Sequence, residues 1–311
     1  MSELKINPGK ISIQGQSLRE ILRLHANWLN DSQGERAVLW GGSLSDAHLQ
    51  KANLRNAIFT DSTFLDADLS GVDFSGAELT RCDFRNATLC NADFSKAKLI
   101  DVNFQHCQMP ESNLSESRMQ GVLFRDANLR DSRLYEVRLN SCDFTDASLR
   151  ASYLNHSIIA DCCFTAADLE ACNLLRARLQ NCRFTASRLI NANLSSIQSV
   201  DCDFQGAQLN SAKLLTANLS QNVFCKASMT NCDLREANLT AADFSGAVMM
   251  QSQFREAIMM ATDFRGSVLE GARGLTGRQL DSCMTSYSTI LPSGTRGPFV
   301  QGKNSEIPAF R

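Results

Sequence analysis

From Ala37 to Gly271 the chain keeps a five-residue period without one insertion or deletion. The central residue of each unit, position i, falls at Leu39, Leu44, Leu49, Leu54, Phe59, Phe64 and onward to Leu269, which makes 47 consecutive units. A fixed period of this kind decides the fold class before any other feature is weighed. Position i is Leu, Phe or Met almost throughout, with Ile159 and Ser199 as exceptions. Position i−2 is mostly small, as at Ala52, Ala67, Cys82 and Ser152, and i−1 is often Asn or Asp. Residues two apart on extended backbone point the same way. Each unit therefore sends one large and one small apolar group inward, and its other three residues face water.

A helix needs a period near 3.6 and a half-buried strand a period of 2, so neither fits. A period of five requires short extended pieces joined by tight turns, wound as a solenoid in which each turn buries its neighbour. Phe at 64, 84, 104 and every twentieth position to 264 gives the length of one coil. Twenty residues are four units, so the coil is four-sided. One face carries the Phe ladder with Cys82, Cys142, Cys162, Cys182 and Cys202; the next carries Leu69, Leu89, Met109, Leu129 and Leu149.

Segments such as Ala52-Asn53-Leu54, Ala67-Asp68-Leu69, Ala92-Asp93-Phe94, Ala127-Asn128-Leu129 and Ala237-Asn238-Leu239 resemble the A-(D/N)-L-x-x consensus of the pentapeptide repeat family. The resemblance covers 235 of 311 residues. It implies an all-β solenoid, a right-handed quadrilateral β-helix of about 12 coils with an N-terminal capping helix. Two inward positions break the rule. Ile197 is large where a small residue belongs and Ser199 small where a large one belongs, a swap that conserves core volume. Asn222 also points inward and needs internal hydrogen bonds.

An open β-helix needs covered ends. Residues 1–36 are expected to supply the first cover, with Ser17-Leu18-Arg19-Glu20 as a capping box and a helix over 17–30 whose apolar stripe is Leu18, Ile21, Leu22, Leu24, Trp28 and Leu29. His25 reads as a packed cap residue. Residues 37–271 form the β-helix, and 272–311 a C-terminal cap and mobile tail. Thr276 and Gln279 are placed to open a short helix there, and 293–311 read as mobile.

Net charge is −2, which gives no strong pull toward nucleic acid. No apolar run reaches membrane-spanning length, and the N-terminus lacks a signal-peptide core. Eight of the twelve cysteines lie at i−2, where they read as small apolar filler interchangeable with alanine. Cys90, Cys163, Cys225 and Cys283 fall elsewhere. A reduced, cytoplasmic protein is expected, with export by a specialised secretion system left open. The repeat contains no catalytic constellation, cofactor-binding motif or metal-ligand spacing, so no enzyme activity or cofactor is expected.

Two surface features stand out. Lys98, Arg118, Arg138 and Arg178 share one column, interrupted by Ile158, and form a candidate partner-binding row. Around the adjacent corner lie Lys96, Glu116, Glu136, His156 and Arg176; Glu116 and Glu136 are expected to neutralise Arg118 and Arg138. Val248, Met250, Ile258, Met260 and Val268 are outward apolar residues near the end of the repeat. They read either as a surface covered by the C-terminal segment or as a dimer interface. Gyrase-targeting members of the family dimerise through their C-terminal ends, which makes a homodimer through that end the analogous expectation.

The favoured reading is a non-enzymatic scaffold or protein–protein interaction module whose flat faces meet a macromolecular partner. One alternative is a DNA mimic binding DNA gyrase, as in the quinolone-resistance branch; the near-neutral charge, the basic row and Arg81 within the column Asp61, Asp101, Asp161 and Asp201 argue against it. Another is a translocated bacterial effector, with residues 1–16 as delivery signal. No membrane and no direct nucleic-acid contact is expected, since only Tyr135 and Tyr153 lie near the basic row as stacking groups.

Overall fold

A computed structural model describes residues 12, 13, 15–31 and 33–300. The proposed delivery segment lies largely outside these residues, as does the tail from 301. The chain divides into two compact units, Met1–Tyr153 and Leu154–Arg311. In unit 1 a short antiparallel pair, β1 (Ser12–Ile13) and β2 (Gln16–Ser17), precedes helix α1 (Leu18–Leu29). Six three-residue strands follow: β3 (Val38–Trp40), β4 (Ile58–Thr60), β5 (Glu78–Thr80), β6 (Lys98–Ile100), β7 (Arg118–Gln120) and β8 (Arg138–Asn140). They pair in parallel, each residue opposite the one twenty positions on. Unit 2 holds β9 (Ile158–Ala160), β10 (Arg178–Gln180) and β11 (Gln198–Val200) in the same register, and a short helix α2 (Gly277–Asp281). Among the described residues no helix is long and apolar enough to cross a membrane.

The corners explain the period. Position i+2 has positive φ in every unit, from Gly41 at 65° to Gly271 at 71°. Only eight of these corners are glycine; the rest carry side chains, among them Asp46, Lys51, Ala166 and the β-branched Thr216. Left-handed backbone costs a side-chain-bearing residue about 1–2 kcal/mol. The fold accepts that cost because each corner lets positions i and i−2 turn into the core. The Asn and Asp at i−1 brace the turns: Asp73 Oδ1 accepts the Ser75 N–H at 2.9 Å and Asn193 Oδ1 the Ser195 N–H at 3.2 Å.

Inside, the Phe ladder is continuous within each unit. Phe64 stacks on Phe84 with ring centroids 4.3 Å apart, and Phe184, Phe204 and Phe224 follow at 4.7 Å per step. Unit 1 adds a second aromatic column that the twenty-residue count did not single out. Phe74 and Phe94 stack at 5.1 Å and meet the first ladder edge to face, Phe74 lying 6.0 Å from Phe84 at 90°.

The buried cysteines do more than fill space, which corrects the filler reading. The Cys107 thiol donates to the Phe84 carbonyl at 2.8 Å, and Cys232 to Leu209 at 2.9 Å. Serine and threonine at the same kind of position do likewise, Ser252 to Met229 at 2.6 Å and Thr262 to Leu239 at 2.8 Å. The inward carbonyl of residue i therefore gains a donor one coil on, a bond alanine lacks.

Continuous strands account for fewer turns than the about twelve coils expected. In unit 2 they end at Val200, after which single bridges Gln198↔Asn218, Asn218↔Asn238 and Asn238↔Ile258 carry the pairing. The change coincides with Asn222. Its Oδ1 accepts the Cys202 N–H at 2.8 Å and the Ser199 hydroxyl at 3.0 Å, while its Nδ2 donates to the Ser199 and Ser220 carbonyls at 3.0 and 2.9 Å. The Ile197/Ser199 swap thus serves a buried polar node.

Helix α1 begins at Ser17, whose hydroxyl accepts the Glu20 N–H at 3.3 Å. The expected capping box is only half built, because the Glu20 carboxylate turns to Arg23 at 2.6 Å. His25 is buried and its Nδ1 accepts the N–H of Ala37, the first repeat residue, at 3.0 Å. Trp28 stacks on its ring at 5.6 Å, with Arg36 over Trp28. Burial lowers the His25 pKa below the usual value near 6.5; the Arg55 main chain opposes this and the Arg36 charge adds to it. Folded His25 thus binds fewer protons than unfolded His25 on the acid side of 6.5. Its contribution to stability is complete above that pH and is lost as pH falls. Melting followed by circular dichroism from pH 7.5 to 5.5 should show a downward shift that His25→Ala removes; equal shifts in both proteins would contradict this role of buried His25 against Ala37.

At the other end, Thr276 and Gln279 form a full capping box for α2, and Gln279 Nε2 donates to the Ala257 carbonyl at 2.9 Å. Met284 and Ile290 then bridge to Asp263 and Val268. Residues 293–300, read as mobile, are tied back by Gly297 N–H to Thr289 carbonyl at 3.2 Å and Phe299 N–H to Thr285 Oγ1 at 2.9 Å.

Candidate protein-interaction face

Strands β6, β7 and β8 of unit 1 make a flat, three-residue-wide face. Their middle residues Leu99, Met119 and Leu139 are buried, so the flanking residues must point outward. The register places Lys98, Arg118 and Arg138 side by side in one column, and Ile100, Gln120 and Asn140 in the other. All three cations are exposed.

The expected neutralisation by Glu116 and Glu136 does not occur. Glu116 pairs with Lys96 at 3.8 Å. Among the described residues, Lys98, Arg118 and Arg138 join no ion pair within 4.0 Å and no side-chain hydrogen bond. The corner geometry accounts for this. Glu116 and Glu136 sit at left-handed corners with φ of 59° and 56°. The Glu116 side chain runs along its own column to Lys96 of the preceding coil rather than around the corner to Arg118. Several other unit 1 arginines are neutralised: Arg81 by Asp61 at 2.6 Å, Arg85 by Asp83 at 2.7 Å and Arg36 by Glu78 at 3.1 Å. The Arg81–Asp61 pair also neutralises part of the acidic column that a DNA mimic would need.

In unit 2, Arg178 is exposed between Ile158 and Gln198 in register. It too has no ion-pair partner among the described residues. The apolar candidates separate into two sets. Val248, Met250 and Val268 are half-buried, whereas Ile258 and Met260 are 58% and 64% exposed. The C-terminal segment continues the coil sequence beyond them, through the Gln279–Ala257 and Met284–Asp263 contacts, and leaves those two side chains open.

Profiles of the pentapeptide repeat families match most of the chain: the pentapeptide repeat region over 77–140 and 132–198, and the eight-copy pentapeptide repeats over 43–76, 202–240 and 232–271. The chain belongs to the pentapeptide repeat family. Among solved structures, HetL, a pentapeptide repeat protein involved in heterocyst differentiation regulation from the cyanobacterium Nostoc sp. strain PCC 7120, is similar at 24% identity. That match covers 80% of this chain and 92% of HetL, with a TM-score of 0.27. Trypsin-treated QnrB1, a plasmid-mediated fluoroquinolone resistance protein, is similar at 18% identity over 72% of this chain and 90% of its own, with a TM-score of 0.32. No curated protein matches.

The outward columns of this pentapeptide repeat protein were legible from the period, because a spacing of twenty names the neighbours. Gln120 and Asn140 were missed, although the same spacing at i+1 would have placed them beside the arginines. The absence of ion pairs was not legible, since it depends on where the corner aims Glu116.

Proposed function

We propose that this pentapeptide repeat protein is a non-enzymatic interaction module that binds an acidic protein surface through Lys98, Arg118 and Arg138. One observation carries the reading: three cations stand in register on a flat face and join no ion pair among the described residues, while Glu78, the carboxylate in register beside Lys98, is paired with Arg36 at 3.1 Å. Like charges in adjacent strands repel, so the row gains most from an external anion. An interface of this kind draws its rate and specificity from charge complementarity and weakens as salt rises.

The test compares immobilised wild-type chain with Arg118→Glu/Arg138→Glu in capture from native lysate, followed by mass spectrometry. Both side chains are exposed, so the variant should keep the wild-type fold by circular dichroism. A protein retained by wild type, released by raised salt and absent from the variant is expected. The same set of proteins on both columns would refute the assignment of this face.

A further inference from the structure

We propose that the partner presents an acidic α-helix, lying along the Lys98–Arg118–Arg138 column and across strands β6 to β8. This inference rests on the interaction reading and specifies its geometry.

The three cations occupy equivalent positions of adjacent parallel strands, so they recur at roughly 4.8 Å and span roughly 9.6 Å. An α-helix advances 5.4 Å per turn, so carboxylates at i, i+4 and i+7 recur at about 5–6 Å and span about 10.5 Å. Same-face side chains of an extended segment recur at about 6.6 Å, and three of them span about 13 Å. A mismatch of about 1 Å over the row asks less rearrangement of the flexible Lys and Arg side chains than one above about 3 Å, which favours the helical spacing.

The shape of the face agrees. Three extended residues give a width of about 10 Å, close to the diameter of a helix with its side chains. The neighbouring column offers Gln120 and Asn140, amides that hydrogen-bond polar side chains flanking an acidic stripe. Ile100, in the same column, is half-buried, so the face asks for a charged stripe with a polar border rather than an apolar one.

The test uses the full chain and labelled peptides of about twenty residues, long enough to hold helical structure. The first carries Glu at i, i+4, i+7 and i+11 in an Ala/Gln background. The second has the same composition with Glu at every other position, and the third keeps the striped spacing but contains two central prolines. Fluorescence anisotropy is read at about 50 mM salt, where screening is weak. The striped helix should bind about tenfold more tightly than either comparator. Arg118→Gln/Arg138→Gln, folded as judged by circular dichroism, should lose most of that advantage.

Equal affinity for the three peptides, tighter binding of the alternating or proline peptide, or no binding of the striped peptide would overturn the helix geometry. Tighter binding of a labelled oligothymidylate would overturn the choice of a protein partner. The lysate experiment separates the two levels. If Arg118→Glu/Arg138→Glu still loses a captured protein while the striped peptide shows no advantage, the helix geometry falls and the interaction reading stands.

Discussion

Truncation of Phe204 to alanine is expected to be the most damaging single change in the repeat, at about 3–5 kcal/mol. The ring is fully buried and lies 4.7 Å from Phe184 on one side and from Phe224 on the other. Its loss removes apolar burial and two stacking partners together, and the flanking coils cannot collapse inward because their spacing is fixed by main-chain bonds such as Phe204 N–H to Val223 carbonyl at 2.7 Å. Solenoid stability is close to a sum of coil terms and neighbour terms, so the damage should concentrate in unit 2. Urea denaturation monitored by circular dichroism measures it, and hydrogen exchange locates it. A loss below about 1 kcal/mol would contradict the packing described.

Asn222→Ala should follow, at about 2–4 kcal/mol, because it strands several buried polar groups at once. The Cys202 N–H, the Ser199 hydroxyl and the Ser199 carbonyl each lose the partner they have in the folded chain. Removing one side of a buried polar network costs far more than removing both. The triple variant Ile197→Ala/Ser199→Leu/Asn222→Ala returns all three positions to the repeat pattern and should recover most of the loss. If the single variant melts like wild type, or the triple is weaker than the single, the node is not the stabilising unit inferred here.

The repeat made the fold legible because every fifth residue repeats the same inward and outward assignment. Leu39 and Leu269 could be placed in the core with equal security, though 230 positions apart. The short-range caps were partly legible. Thr276 and Gln279 formed the expected capping box, while Glu20 chose Arg23 over the Ser17 main chain because both side chains are exposed and free to pair. Hydrogen bonds from Cys107 and Cys232 were hidden, since the period shows that a residue is inside and not which carbonyl it meets. The end of the continuous strands was hidden for a related reason. Asn222 was recognisable as an inward polar residue, but its partners in the neighbouring coil, Cys202 and Ser199, lie twenty and twenty-three positions away.

The regular left-handed corner has an evolutionary consequence. The inward or outward role of a residue is set in fives, whereas its neighbours, on the surface and in the Phe ladder alike, are set in twenties. A five-residue insertion of consensus sequence between Gln120 and Gly121 would leave every later residue with the same inward or outward role. It would also move each of them one face further around the coil. Arg138 would then no longer lie beside Arg118, and Phe124 would leave its stack on Phe104 at the same seam, while the contacts on either side of it are kept. Insertions of one, two or three units should therefore act as a frame shift for every column that crosses the insertion point, and only a gain of four restores the original alignment. Binding faces in such a chain can be dismantled or assembled by duplication of a single short unit, with new core contacts needed only where the coils meet at that point.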